Sequence, residues 1–367
     1  MKIERIAISH HRIDLDPPFF PAWDGRAREH FDATIVRVET DEGLVGIGSG
    51  DTMLGFAGHE DLFIGRDPLD LDRHHAVLSN LNFHYGRCWP LDLALWDLAG
   101  KAAGQPVWKL LGGHSDRVRA YASSATLRDA GAMADAAQQY RAQGFKAMKI
   151  RFHHADWRDD IAAVETVRRT LGDGLTLMVD CNQGWRMPWD TEEPWEFAKA
   201  MEVAGVLQDL GVFWVEEPLH RGNYAGMTAL RDATSIRIAG AEMAREIHEL
   251  DALMDQGCLD VLQPDFTLAG GITGLVPIAR RALDEGLIFT PHTWSDGMAV
   301  IANTHLAAGL ANPPYLEFPF DPPQWTLERR DFMLTTPFVM EDGWMVLSDN
   351  PGLGFDIDEE RLAATRL

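Results

Sequence analysis

The segment LTLMVD, residues 175–180, is an apolar run that stops on a carboxylate, Asp180. The same event recurs along the chain: VFWVE ends on Glu216, IRIAGAE on Glu242, DVLQP is followed by Asp265, and YLE ends on Glu317. An apolar strand gains nothing from a terminal acid, so these endings read as one carboxylate-lined rim rather than separate surface charges. Helical stretches at 160–170, 197–210 and 274–285 lie between such runs. Strands apolar on both faces, alternating with helices, are the pattern of a parallel sheet covered by helices. The spacing predicts strands near 118–123, 146–151, 176–180, 212–216, 236–241, 259–263, 287–291 and 314–317. Eight strands favour a closed α/β barrel, whose sites are built at the C-terminal rim. A doubly wound open sheet is disfavoured, because no Gly-rich dinucleotide fingerprint follows a strand and Gly270-Gly271 alone is too weak.

Outside this region the pattern changes. TIVRVET (34–40) and LVGIGSG (44–50) flank Asp41-Glu42-Gly43, which predicts a β-hairpin in an antiparallel sheet. The stretch from Ile13 to Phe31 is rich in Pro and aromatics without period and reads as a long functional loop. A buried helix is predicted from Pro90 to Leu111, broken near Gly104 and Pro106. GWMVLSDNPGLGFDID (343–358) returns to strand and turn character and is expected to rejoin the N-terminal sheet. The expected division is a cap at 1–115, a barrel at 116–330 and a returning tail at 331–367.

A length of 367 residues suits a barrel with an appended domain. The start, MKIERIAISHHRIDLD, carries charges where a signal peptide needs an apolar core, and Asn303, Thr304 and His305 interrupt the longest apolar stretch. The expectation is a soluble cytoplasmic protein without a membrane partner. Cys88, Cys181 and Cys258 are isolated and odd in number, which fits reduced packing residues rather than a disulfide framework or thiolate site. A net charge of -23 argues against a nucleic-acid partner, but local cations and a metal ion can still attract an anionic substrate.

Adjacent strands lie roughly 4.8 Å apart, so Asp180, Glu216 and Glu242 on three neighbouring strands cross only about 10 Å. All-oxygen ligation without Cys or His suits a hard cation, Mg²⁺ foremost. Helix N-capping is the alternative for any one of these acids, less so for all three. In KAMKIRFHH, Lys149 and Arg151 share a face and point into the same mouth, as catalytic groups or as structural counterions to the acids. His153 and His154 read as loop residues. His292 in LIFTPHTW reaches the rim from the seventh strand, with Asp265 placed to orient its imidazole. Glu317 lies between the two sides, either donating to a developing oxyanion if protonated or fixing Lys149 by an ion pair.

The motifs WDLAGKAAGQPVWKLLGG, KIR, MVDCNQGW, WVEEPL, AGAE, PDFTLAGGIT, PHTW, YLE and NPGLGFDID extend over nearly the whole chain. Together they resemble the enolase superfamily, specifically its mandelate racemase subgroup. The resemblance implies an N-terminal α+β capping domain completed by the C-terminal tail, and a (β/α)7β barrel. It also implies Mg²⁺ on Asp180, Glu216 and Glu242, a His292–Asp265 dyad, and abstraction of a proton α to a carboxylate. Related proteins are often octamers, so a homo-oligomer is expected. Related racemases carry Lys-x-Lys where this chain has Lys149-Ile150-Arg151. Arg is no proton acceptor at working pH, so the expectation shifts from racemisation to dehydration of a sugar acid to a 2-keto-3-deoxy acid. Asn182 and the capping-loop residues Trp23, Arg26 and His30 are candidate substrate-binding groups, from loops near 17–30 and 50–59. A racemase, epimerase or cycloisomerase with Lys149 as the opposite base is the alternative, and a non-catalytic sugar-acid-binding protein is a third reading.

Overall fold

The computed structural model describes residues 1–50 and 52–367; Asp51, within the expected 50–59 loop, lies outside the described residues. The N-terminal strands β1 (Ile3–Phe19), β2 (Arg28–Thr40) and β3 (Val45–Gly50) form an antiparallel sheet in that order. The β2–β3 hairpin is as predicted, with the Leu44 N–H donating to Thr40 Oγ1 at 3.1 Å. The long loop expected from Ile13 to Phe31 is corrected: β1 and β2 pair through Asp14↔His30, and only residues 20–27 connect the strands. The prolines hide this pairing, because they interrupt alternation at a register shift between Asp14 and Phe19.

Three helices follow, α1 (Leu71–Tyr85), α2 (Pro90–Ala103) and α3 (Val107–Leu110), with Gly104 in the left-handed conformation ending α2 as the sequence predicted. Helix α2 lies directly on β3. A Cβ at Gly48 would stand 2.1 Å from the Pro90 carbonyl oxygen, so the alternating glycines of β3 permit that contact.

The barrel strands and helices alternate as β4 (Arg117–Ser123), α4 (Ala130–Ala142), β5 (Ala147–Arg151), α5 (Trp157–Leu171), β6 (Thr176–Asp180), α6 (Phe197–Asp209), β7 (Trp214–Glu216) and α7 (Tyr224–Ala233). They continue as β8 (Arg237–Gly240), α8 (Ile247–Asp255), β9 (Val261–Leu262), α9 (Gly271–Asp284), β10 (Ile288–Phe289), α10 (Gly297–Leu306) and β11 (Leu316–Pro319). Parallel ladders run unbroken from β11 through β4 to β10. Among the described residues no ladder joins β10 to β11; there Thr290 Oγ1 donates to the Tyr315 carbonyl at 2.9 Å. Tyr121, Ala147, Met178, Trp214, Ala239 and Val261 fill the interior, with Tyr121 and Trp214 edge to face at 5.6 Å. Side chains two residues further along a strand share that inward face, which places Ser123, Lys149, Asp180, Glu216 and Gln263 directly above the plug.

The C-terminal tail contributes β12 (Met340–Glu341) and β13 (Trp344–Val346). Strand β13 pairs antiparallel with β4 rather than with β1–β3, a correction to the expected return to the N-terminal sheet. Strand β13 takes the N-terminal half of β4, Arg117–Arg119, ahead of the residues that pair with β5 and β11, whereas the end of the tail meets the N-terminal sheet through the His11–Arg366 bridge, the Leu367 N–H on the His10 carbonyl at 2.9 Å, His11 on Thr365 at 3.3 Å and the Arg37–Glu359 ion pair at 2.8 Å. Polar contacts join cap and barrel: Ser49 Oγ donates to Asp296 at 2.8 Å in a buried bond, and Trp96 Nε1 to Thr273 at 2.9 Å in a half-buried one. His305 of α10 accepts from the Trp108 N–H of α3 at 3.0 Å and donates to the Leu353 carbonyl of the tail at 3.1 Å. Among the described residues no helix is long and apolar enough to cross a membrane.

Candidate active site

Asp180, Glu216 and Glu242 are all buried, and one carboxylate oxygen from each lies within 4.8 Å of the others. A hard divalent ion holding oxygens at roughly 2.0–2.4 Å fits such a triangle. Glu242 Oε1 accepts from Trp185 Nε1 at 2.8 Å, while its buried Oε2 has no hydrogen-bond donor among the described residues. Glu216 Oε2 accepts from Gln263 Nε2 at 3.0 Å and Trp214 Nε1 at 3.3 Å. The triad therefore has the donor set, spacing and orienting hydrogen bonds of a cation site.

The three ligand positions share a backbone peculiarity. Asn182, Glu217 and Ala241, each within two residues of a triad member, have φ of +48°, +46° and +92°. Non-glycine residues enter this region only against a steric penalty. Strand parity from Ala239 would turn Glu242 outward, and the left-handed turn at Ala241 brings it to the rim instead.

Lys149 Nζ lies 2.7 Å from Glu216 Oε1, 3.0 Å from Glu317 Oε1 and 3.8 Å from Asp180. Burial alone would lower its pKa, and the carboxylates more than reverse that, leaving it raised and the ammonium charged. Arg151 pairs with Asp180, donates through Nε to the Ser124 carbonyl at 3.2 Å, and reaches Asn182 Oδ1 at 3.3 Å. Two indoles enclose its guanidinium, Trp23 at 4.7 Å and Trp294 at 5.7 Å.

On the opposite side, His292 Nδ1 lies 3.1 Å from Asp265 Oδ2, and Nε2 faces Glu242 at 3.2 Å and Glu317 at 3.6 Å. Burial pulls the imidazole pKa down, but Glu242, Glu317 and Asp265 push it up to about 10; a cation on Glu242 would weaken that pull. Glu317 accepts from Ser123 Oγ at 2.7 Å and from the Thr293 N–H at 2.9 Å. Burial raises its carboxyl, yet Lys149, His292 and Arg151 outweigh burial and hold it below the usual carboxylate range. An ionised Glu317 is an acceptor, so its surroundings favour the ion pair with Lys149 over the protonated donor.

Of the sequence-selected residues, Lys149, Arg151, Asp180, Asn182, Glu216, Glu242, Asp265, His292 and Glu317 converge on one rim. Trp23 and Trp294, the indoles over Arg151, line a cavity of about 500 Å³ together with Arg26, His30 and Trp325, and none of the nine rim residues is on its wall. Asn182 is not part of that cavity wall and sits with Arg151 on the floor. Sequence reasoning missed Trp185, Gln263 and Ser123, which donate to the acids, and Trp294, whose Nε1 donates to Ser123 Oγ at 3.1 Å. Ser123, Gln263 and Trp294 stand two residues past inward-facing positions, a parity signal that could have found them.

Residues 6–112 match the mandelate racemase / muconate lactonizing enzyme N-terminal domain, and residues 132–361 match the enolase C-terminal domain-like family. The chain is 29% identical to a D-galactarolactone cycloisomerase of Agrobacterium fabrum, over 99% of this chain and 98% of that protein. It is 30% identical to an L-talarate/galactarate dehydratase of Salmonella typhimurium, over 84% of this chain and 74% of the relative. Among solved structures, a racemase of Streptomyces coelicolor with bound magnesium superposes with a TM-score of 0.85 at 25% identity, covering 100% of both chains.

Proposed function

Because the chain belongs to the mandelate racemase / muconate lactonizing enzyme family of the enolase superfamily, we propose that it is an acid sugar dehydratase, giving a 2-keto-3-deoxy acid. The observation that carries this reading is Arg151. It stands where a second base would be needed for racemisation, and its donors are engaged by Asp180, Asn182 and the Ser124 carbonyl. A guanidinium so held binds and orients oxygens but accepts no proton.

In this reading Asp180, Glu216 and Glu242 hold Mg²⁺, for which the oxygen triangle and the Trp185, Gln263 and Trp214 hydrogen bonds that orient its acids are the supporting observations. When bound, the ion supplies positive charge against the negative charge that builds on the substrate carboxylate as the α-proton leaves. Lys149, fixed between Glu216 and Glu317, presents its ammonium to a carboxylate oxygen. With a cation on the triad offsetting the pull of Glu242, the neutral His292 Nε2, with Nδ1 held by Asp265, would take the α-proton and return it to the departing β-hydroxyl, so that water leaves and the imidazole is reset. The C–H electron pair forms the new double bond as the C–O bond breaks, and the enol product tautomerises to the 2-keto acid. Trp23 and Trp294 shield Arg151 from bulk water.

Turnover of acid sugars with Mg²⁺, read by semicarbazide trapping of the 2-keto product, tests the proposal. No product across hexonates, pentonates and aldarates overturns it. The full-length similarity to a lactone cycloisomerase favours a second reading, in which a ring oxygen rather than hydroxide departs. Lactone consumption without release of water would identify it. Homo-oligomeric assembly and a cytoplasmic location belong to the same proposal, the first tested by analytical ultracentrifugation and the second by cell fractionation.

A further inference from the structure

The loop between β1 and β2 brings an unused cation to the mouth of the site. Asp24, at 7% exposure, accepts from the Arg26 N–H at 2.9 Å, from Trp189 Nε1 at 3.0 Å and from Arg28 Nε at 3.3 Å, so its carboxylate is fully engaged. The Arg26 side chain instead lies over the Trp189 ring, guanidinium carbon 4.3 Å from the centroid. Among the described residues that guanidinium makes no ion pair and no hydrogen bond. It stands where two cavities meet, the one of about 500 Å³ lined by Trp23 and Trp294 and a neighbouring one of about 820 Å³, and Asp24 and Trp189 line both. Besides the shared Asp24 and Arg26, the neighbouring cavity carries Asp190, Glu192 and Glu193 against Arg186 and Lys199, whereas the first carries Glu29 and Asp32 against Arg28 and Arg87, so the first is the less acidic of the two and the better anion-accepting side. There Arg28 lies over the Trp23 ring at 5.9 Å, and that same ring covers Arg151 at 4.7 Å. One indole thus separates the cation on the floor from the cation that opens β2.

A guanidinium stacked on an aromatic face keeps its in-plane N–H groups outward and loses little freedom on binding, which suits a planar acid group. Leaving it opposite a neutral hydroxymethyl end would forgo the strongest contact available to it. We infer that Arg26 reads a second acid group, at the substrate end remote from the carboxylate triad, so that this site takes doubly anionic sugar acids in preference to aldonates. Trp189 and Asp24 act as its positioning residues. The inference rests on the proposed function only in that a sugar acid enters at this rim. A terminal carboxylate and a terminal phosphate share the recognised chemistry.

The test is calorimetric binding to Mg²⁺-loaded His292→Asn protein, which separates recognition from turnover. Matched ligands are galactarate, galactonate and galactonate 6-phosphate, with the corresponding gluco and manno sets. At least one doubly anionic ligand is expected to bind roughly 10-fold or more tightly than its aldonate, the carboxylate or phosphate arm naming the source. Arg26→Gln should weaken that ligand by about 10- to 100-fold and the aldonate by less than about 2-fold, with Arg26→Lys between them. The same preference in kcat/KM of the unmodified enzyme guards against a His292→Asn folding defect. Equal or tighter binding of aldonates, equal losses for both classes in Arg26→Gln, or no binding of any dianion overturns the inference. Retained discrimination without 2-keto product would refute the dehydratase reading alone.

Discussion

His305 links α10, α3 and the C-terminal tail through two backbone hydrogen bonds, and both require the neutral imidazole with its proton on Nε2. Protonation of Nδ1 would turn the acceptor for the Trp108 N–H into a second donor. Burial accordingly pulls the His305 pKa down to about 4, against roughly 6.5 in an unfolded chain. Because the folded value is depressed, its contribution is complete above about pH 6.5 and is lost as pH falls toward 4. The full difference corresponds to about 3 kcal/mol, of which about 2 kcal/mol is lost by pH 5. Asp296 works in the opposite sense, since burial raises its carboxyl to about 6 and it gains stability as pH falls. A single pH curve therefore mixes the two, and comparison with His305→Gln, which offers an acceptor and a donor without titrating, isolates the histidine. Urea unfolding of both proteins at pH 7.5 and pH 5.0, with Mg²⁺ saturating, should show the unmodified protein's advantage shrinking by about 2 kcal/mol at the lower pH. An advantage unchanged within about 0.5 kcal/mol would refute the reasoning.

Ala241→Gly should leave stability equal or raise it by up to about 1 kcal/mol, because φ of +92° is free to glycine, while weakening Mg²⁺ several-fold by loosening Glu242; thermal melts and metal titration check both. A stability loss above about 1 kcal/mol would contradict the strain argument. Asp321 is fully buried, accepts from the Ala125 and Thr126 N–H groups at 2.8 Å each, and pairs with Arg128. Asp321→Ala should destabilise by about 3–5 kcal/mol, read by denaturant midpoint, and a change below about 1 kcal/mol would show the network to be dispensable. Chelation should lower the thermal midpoint, with Mg²⁺ at about 100 times its Kd restoring roughly 2.7 kcal/mol. Asp180→Asn should remove that dependence on Mg²⁺ concentration, and a midpoint still rising with Mg²⁺ in the variant would exclude the triad as the binding site.

Much of the barrel was legible because several strands, TLMVD and WVE among them, are short apolar runs, and a carboxylate at the end of such a run stands out against it. The Asp180, Glu216, Lys149 and Glu317 positions follow from period-two alternation, which the buried plug of Tyr121, Met178 and Trp214 obeys. Glu242 was found for a weaker reason, since its inward aim depends on a left-handed residue that alternation does not reveal. The β1–β2 pairing past Asp14 was hidden because its partner is distant in sequence and prolines disguise the strand. Strand β13 was assigned to the wrong sheet for the same kind of reason: a pairing segment is chosen by what tertiary packing leaves open, not by the strand's own residues.

The junction between β10 and β11 gives the barrel a mechanical character of its own. Among the described residues seven parallel ladders make the wall a split ring, and its lips are held by side-chain bonds, Thr290 to the Tyr315 carbonyl and the Thr293 N–H to Glu317. His292 stands on one lip and Glu317 on the other. Across the split the gap between the imidazole and its facing carboxylate is bridged by this two-point clasp, while His292 itself is tied to its own side by its N–H on the Pro264 carbonyl at 3.1 Å. Single substitutions at Thr290 can retune that gap while every ladder stays intact.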